Sequence, residues 1–189
     1  MPASLVFTMG GVDLPKLFSF VRENPEGLES GSIDGLEQRY GEGRPMLLRY
    51  STKALKHVDP AELPFAPGAK NPITHFQAST SIRGGRVVPH ETNHIMDSVY
   101  GLDLSNASDL SEGIQRARRH VMQAVNFYRK YIPGYENAYL LQTADQLGIR
   151  ETRRIVGDYV MTAADVLNAA QFPDKIARGG RAMNIHSED

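Results

Sequence analysis

Two strand-like stretches joined by a glycine pair constrain the fold of this chain more than any other feature. Residues 73–82 and 86–97 are rich in β-branched residues, and the turn 83–86 between them reads Arg-Gly-Gly-Arg. A glycine pair supplies the positive φ angles that a tight hairpin turn requires. The sequence therefore predicts a β-hairpin whose first strand places Phe76 on one face and Gln77 on the other.

The remaining elements do not follow a regular strand–helix–strand order. Apolar spacing, turn residues and helix caps predict further strands at 4–8, 46–50, 139–143 and 181–186, and helices at 14–23, 109–132 and 162–171. We expect Asp109 and Glu112 to form a capping box at the start of the longest helix, and the strand at 139–143 to be buried. The prediction is a single domain over 1–189 of the α+β class, with a mixed, largely antiparallel sheet, one long helix and two shorter helices.

Composition excludes several classes of function. The chain has 189 residues, a formal net charge of −1 and no cysteine. The charge gives no bulk electrostatic reason to expect nucleic acid or an anionic membrane as partner, and the apolar runs are shorter than a membrane span. The lack of cysteine excludes disulfides, thiolate metal sites and a cysteine nucleophile. The first residues show no signal peptide, which favours a cytoplasmic location.

The most distinctive stretch lies between Gly148 and Gly157, where three arginines and a glutamate fall within five residues and apolar residues follow at once. A solvated helix face also carries mixed charges, but apolar residues and glycines rarely enclose such a face. A strand or bend that turns Arg150 and Arg153 inward would let their guanidinium groups hold a carboxylate or phosphate. The alternative is a structural ion pair with Glu151 as the acidic partner.

Residues 150–167 read Arg-Glu-Thr-Arg-Arg-Ile-x-Gly-x-Tyr-x-x-Thr-x-x-Asp-Val-Leu and resemble the FAD-dependent oxidoreductase family that includes the xanthan-lyase-like sequences. The resemblance continues downstream to 172–177 and 184–186, and extends upstream through 131–138 and, more loosely, 8–13. The Gly-rich dinucleotide fingerprint and the closing flavin segment of that family have no counterpart in this sequence.

The resemblance implies that this chain is the substrate-binding, non-nucleotide domain or a fragment of an FAD-dependent oxidoreductase. FAD would belong to the full-length parent, and the missing FAD-binding portion would be the main partner, beside a small-molecule substrate. Gly10-Gly11 after the first strand lacks the third glycine and the Lys-Ser/Thr of a phosphate loop. We therefore expect the chain to bind no FAD tightly, to be inactive alone and to self-associate through uncovered apolar surface.

The same resemblance implies which residues line the pocket. Arg150 and Arg153 would anchor an anionic substrate, and Tyr159 would lie near the reacting centre. His186 would be the catalytic group, although Asn184 stands where the family pattern has an aspartate that could orient it. The plainer interpretations are a core tyrosine with a satisfied hydroxyl and a structural or exposed histidine.

A zinc-hydrolase motif provides an alternative. His90-Glu91-x-x-His94 matches the pattern His-Glu-x-x-His, in which two histidines on one helix face bind zinc and the glutamate activates water. Pro89 and the β-branched residues before it predict a strand instead, where Glu91 points away from the two histidines. Glu112 lies at a spacing that suits a third ligand. A zinc-dependent hydrolase and a structural or binding module without cofactor therefore remain as alternative functions.

Overall fold

The computed structural model describes residues 3–64, 73–150, 152–153 and 155–180. Six strands form one sheet in the order β2-β3-β4-β1-β5, with β6 beside β1, and all their pairings are antiparallel. The predicted α+β class is confirmed. In chain order the strands and α-helices are β1 (Ala3–Gly10), α1 (Leu14–Glu23), α2 (Ile33–Gly41), β2 (Leu47–Ser51), β3 (His75–Arg83), β4 (Arg86–Val99), α3 (Ala107–Tyr131), β5 (Tyr139–Thr143), β6 (Gly148–Ile149) and α4 (Ala163–Leu167).

The central hairpin forms as the sequence predicts. Arg83 pairs with Arg86 at the end of the ladder, and the two residues between them, Gly84 and Gly85, have φ angles of 56° and 76°. Residues with a Cβ atom rarely adopt such angles, so the glycine pair is what permits a two-residue connection. The second strand runs on to Val99, two residues beyond the predicted end.

Helices α1 and α3 cover one face of the sheet. Side chains from β1 that are buried on this face include Leu5, Phe7 and Met9. The predicted stripe of α3 is confirmed, with Ile114 half-buried and Ala117, Val121, Val125 and Tyr128 fully buried. Complete burial of one such large apolar side chain stabilises a fold by about 1.5–3 kcal/mol, so this layer is the main source of stability.

The helix caps agree with the sequence except at α3. The Asp13 side chain caps α1 as expected, accepting a hydrogen bond from Lys16 N. Helix α3 starts two residues before the predicted position, so its N-cap is Asn106, which accepts from Asp109 N at 2.8 Å. The predicted capping box of Asp109 and Glu112 is therefore wrong. The carboxylate of Asp109 instead accepts from Asp103 N at 2.8 Å.

Two predicted elements in the C-terminal part of the chain differ from the structure, and a third lies outside the described residues. Strand β5 is not buried, since Tyr139 is 55% and Leu141 39% exposed, because among the described residues it lies at the edge of the sheet beside β1. Helix α4 has the predicted cap but ends at Leu167, and Ala169 with φ 49° prevents its continuation. The predicted strand at 181–186 lies outside the described residues. Within those residues, none of the helices is long and apolar enough to cross a bilayer.

A buried histidine lies at the centre of the core. His94 on β4 stacks on Phe7 at 5.0 Å between ring centroids, and the edge of Tyr128 approaches it at 4.6 Å. Its Nε2 atom lies 2.8 Å from Thr92 Oγ1, which is 3.2 Å from the hydroxyl of Tyr135. Burial disfavours the charged imidazolium and lowers the pKa of His94 to about 3. The ring is therefore neutral in the folded protein.

Replacing His94 with phenylalanine is expected to remove one source of acid sensitivity. The pKa rises from about 3 in the fold to its ordinary 6.5 on unfolding, so between these values only the unfolded chain takes up the proton. Through this histidine, the free energy of unfolding should fall by about 2 kcal/mol from pH 7 to pH 5. Urea unfolding at both pH values measures the fall, which His94→Phe should lack and the exposed-site control His57→Gln should keep. An equal fall in His94→Phe would contradict this account.

Candidate functional site

The arginine-rich stretch does not turn inward as predicted. Strand β6 pairs with Ala3 and Ser4 of β1 for only two residues, and Arg150 and Arg153 beyond it are both exposed. The Nη2 atom of Arg150 donates to Ser4 Oγ at 3.3 Å. The short pairing cannot carry the two arginines into the core, and that prediction is wrong for this chain. Glu151, the proposed ion-pair partner, lies outside the described residues.

Tyr159 of the predicted pocket contacts residues of its own segment and not the arginines. Tyr159 is 59% exposed, and its hydroxyl donates to Asp165 Oδ2 at 2.8 Å. Its ring lies 5.3 Å from that of Phe172. These contacts form a local cluster around the cap of α4, separate from the core. His186 lies outside the described residues, so its predicted catalytic role stays a prediction.

The zinc motif lies on a strand. His90 is exposed and its Nδ1 atom lies 3.1 Å from Val12 O, whereas His94 is fully buried. Glu91 forms an ion pair with Arg83 at 2.9 Å. The predicted strand at this motif is confirmed. In the part of the chain that the structure describes, no three His, Asp or Glu side chains are grouped so that they could hold a metal ion.

The structure reveals a different polar surface on the side of the sheet opposite α1 and α3, which we call the open face. Strand pairing aligns four polar residues across it, since Asn93 pairs with Ser79 and Thr8, and Thr8 pairs with Gln142. We call Ser79, Asn93, Thr8 and Gln142 the polar row. Side chains alternate along a strand, so the neighbours of Ser79, Asn93 and Thr8 face the core, where they are buried.

Within the polar row, two hydrogen bonds hold the side-chain amide of Asn93 in place. Its Oδ1 atom accepts hydrogen bonds from Thr8 Oγ1 at 2.7 Å and from Ser81 Oγ at 3.2 Å. Both hydroxyl residues are buried, at 4% and 5% exposure. The amide nitrogen of Asn93 makes no hydrogen bond within the described residues. Two donors are thus held in a fixed position beside the exposed aliphatic side chains of Val6 and Ile95.

A charged cluster lies on the same face at strand β2. Arg49 contacts Glu29 at 3.3 Å through Nε, and its Nη2 atom lies 3.2 Å from His75 Nε2. A guanidinium can only donate, so His75 accepts at Nε2 and carries its proton at Nδ1, 3.3 Å from Thr74 Oγ1. The cluster balances one positive and one negative charge, and it fixes the tautomer of the histidine.

The sequence contained a signal for this surface. In β3, the polar residues Gln77, Ser79 and Ser81 recur at every second position, which is typical of one strand face. The prediction placed Gln77 and Phe76 on opposite faces, and Phe76 is indeed fully buried. The alternation within β3 does not reveal the register that places residues of β1 and β4 in the same row.

The turn between β1 and α1 is closely packed. A Cβ atom on Gly10 would lie 2.8 Å from Cζ of Tyr139, and one on Gly11 would lie 3.1 Å from Asn137 O. The carboxylate of Asp13 already occupies the start of α1 through its bond to Lys16 N at 3.0 Å. An anion would meet a tyrosine ring and a like charge at this turn, so these residues do not fit a phosphate group.

Replacing Asn93 with alanine should destabilise the fold by about 1–3 kcal/mol, because two buried hydroxyl groups lose their acceptor. The matched control is Gln142→Ala, which removes an exposed amide from the same row and should change the free energy of unfolding by less than about 0.5 kcal/mol. Urea unfolding of both variants measures the difference. Equal losses would show that Asn93 does not organise the row.

Comparison with known proteins identifies a family over nearly the whole chain. The model of a family described as FAD dependent oxidoreductase matches residues 2–189. No curated protein matches the chain, and no solved structure does so. The family match includes the sheet, α3 and the exposed stretch after β6, so all three belong to the sequence that the family shares.

Proposed function

Because the chain belongs to the FAD dependent oxidoreductase family, we propose that it forms the substrate-side part of such an enzyme and that its open face lies against the substrate. The observation that carries the proposal is the polar row, which crosses the sheet with the Asn93 amide held by Thr8 and Ser81. Binding sites commonly combine an apolar surface with a few fixed polar groups. The open face has this composition.

FAD, when bound, would supply the redox chemistry. The turn at Gly10 and Gly11 does not fit its diphosphate, because Tyr139 and Asn137 fill the space beside the glycines. We therefore assign the binding of the flavin to a further FAD-binding portion of the enzyme, and the binding and orientation of substrate to this chain. Without that portion, the chain is expected to have no oxidoreductase activity.

The purified chain should be colourless and should show no saturable binding of added FAD at micromolar concentration. The physical reason is that the β1–α1 turn offers an aromatic ring and the Asp13 carboxylate where a diphosphate requires free N–H donors. Absorbance at flavin wavelengths and a fluorescence titration with FAD measure this, with riboflavin as a control for non-specific ring stacking. One FAD per chain would overturn the assignment.

The stretch after β6 supports a covering partner. Ile155, Val156 and Ile176 are 95%, 96% and 101% exposed, whereas side chains of this type are normally buried. The stretch nevertheless has local order, since Thr162 and Asp165 form a capping box. We define residues 155–176 as the apolar segment and propose that the FAD-binding portion packs against it.

Docking of that portion would also give the predicted pocket residues their role. The side chains of Arg150 and Arg153 are exposed, so the docked FAD-binding portion would enclose them. In this proposal Arg150, Arg153 and Tyr159 bind substrate only in the complete enzyme, and His186 is the candidate catalytic group. A guanidinium enclosed in this way holds a carboxylate more strongly than one in water.

Without its partner, the chain should self-associate through the apolar segment. The double variant Ile155→Asp with Val156→Asp should lower the association constant at least about tenfold, because two fully exposed aliphatic side chains are replaced by charges. Its free energy of unfolding should stay within about 0.5 kcal/mol of the native value, since neither residue packs in the core. Sedimentation velocity and urea unfolding measure the two quantities.

The matched control for this experiment is Met122→Asp, which places a charge on an exposed apolar residue of α3, at 49% exposure. It should leave the association unchanged. If the control lost its association, or if the double variant kept it, the surface that mediates self-association would lie elsewhere on the molecule.

A further inference from the structure

A groove lies at the end of β2, where the edge of the sheet meets α2. Its volume is about 550 Å³, which is within the range of about 300–1,000 Å³ that small-molecule sites occupy. The apolar part of its lining comes from Leu36, Pro45, Met46, Leu47 and Ile82. Leu47 and Ile82 are large aliphatic residues that are 48% and 50% exposed, so the groove presents an accessible apolar wall.

The groove has one cationic side chain in its lining. Arg39 on α2 is exposed, and its Nε atom donates to Pro45 O at 2.7 Å. No carboxylate lies within ion-pair distance of its guanidinium among the residues that the structure describes. The nearby carboxylate of Glu42 already accepts from Gln38 at 2.8 Å and Arg44 at 3.1 Å. Glu42 also interacts electrostatically with Arg39, but without an ion pair between them, and the anchored Nε leaves the Nη groups of Arg39 as donors for an anion.

We propose that this groove binds a small amphipathic carboxylate. The apolar body of the ligand packs on Leu47 and Ile82, and its carboxylate forms a bidentate pair with Arg39. Charge complementarity selects the anion, since a guanidinium offers parallel N–H donors that match the two carboxylate oxygens. Ser79 belongs both to the groove lining and to the polar row, so the ligand lies beside the open face.

The site does not require the flavin, and Ser79 is the residue that it shares with the polar row. Its lining comes from α2, β2, β3 and the segments that precede α2 and β2, so the isolated chain is sufficient to test it. Failure of this proposal would leave the FAD titration and the polar row unaffected, and failure of the FAD titration would leave the groove unaffected.

Three probes of equal chain length test the groove in the isolated protein: octanoate, octanol and octylamine. Amide chemical shifts in a ¹H–¹⁵N titration locate and quantify their binding. We expect octanoate to shift the amides of Leu47 and Ile82 and to bind at least about tenfold more tightly than octylamine, because hydrogen bonds to a charged group add this much. Octanol should bind weakly at the same residues.

Variants separate the charge from the apolar wall. Arg39→Gln should reduce octanoate affinity about tenfold and leave octanol binding unchanged, whereas Ile82→Asp should weaken both. The matched control is Arg116→Gln, which removes another arginine from a helix surface, where it pairs with Glu112, and should change nothing. Equal affinity for octanoate and octylamine, or full octanoate affinity in Arg39→Gln, would overturn the proposal.

Discussion

The contact between α3 and the central strands fixes the orientation of every strand in the sheet. Tyr128 of α3 lies 5.6 Å from Phe76 on β3 and 4.6 Å from His94 on β4, measured between ring centroids. Because side chains alternate along a strand, packing these rings against the helix sends their neighbours to the other side. A slip of one residue in either strand would bury the polar row and expose the aromatic residues.

The alternation of side chains along the strands therefore gives the two faces of the sheet different chemistry. The core face is closed by rings and contains a small polar network, in which Thr92 links His94 and Tyr135. That network tolerates burial because the histidine is neutral. The open face retains polar side chains that hydrogen-bond to one another, since Asn93 Oδ1 accepts from Thr8 and Ser81.

Sequence reasoning predicted the elements better than the surfaces. The hairpin at Gly84 and Gly85, the start of α1 at Asp13 and the stripe of α3 all depend on residues close together in the chain. The polar row depends on Thr8 meeting Asn93, 85 residues away, and no local pattern gives that register. The apolar sequence of β5 suggested burial, but in the part of the chain that the structure describes β5 is the edge strand of the sheet.

The arginines show a second limit of sequence reasoning. Their apolar neighbours indicated an enclosed position, whereas the structure leaves Arg150 and Arg153 exposed. Both observations agree under the proposal that a separate FAD-binding portion encloses the arginines, because the structure of one chain shows only its own contacts.

The position of β6 connects the exposed stretch to the open face. Strand β6 pairs with the first residues of β1, and Arg150 just beyond it reaches Ser4 Oγ. Ser4 and Thr8 are an even number of positions apart on β1, so both belong to the open face. The stretch that leads to the apolar segment thus begins at the end of the surface that carries the polar row. If, as proposed above, a partner covers the start of this stretch, the same partner also lies against the open face, and one docking event buries the apolar side chains and closes the proposed substrate site.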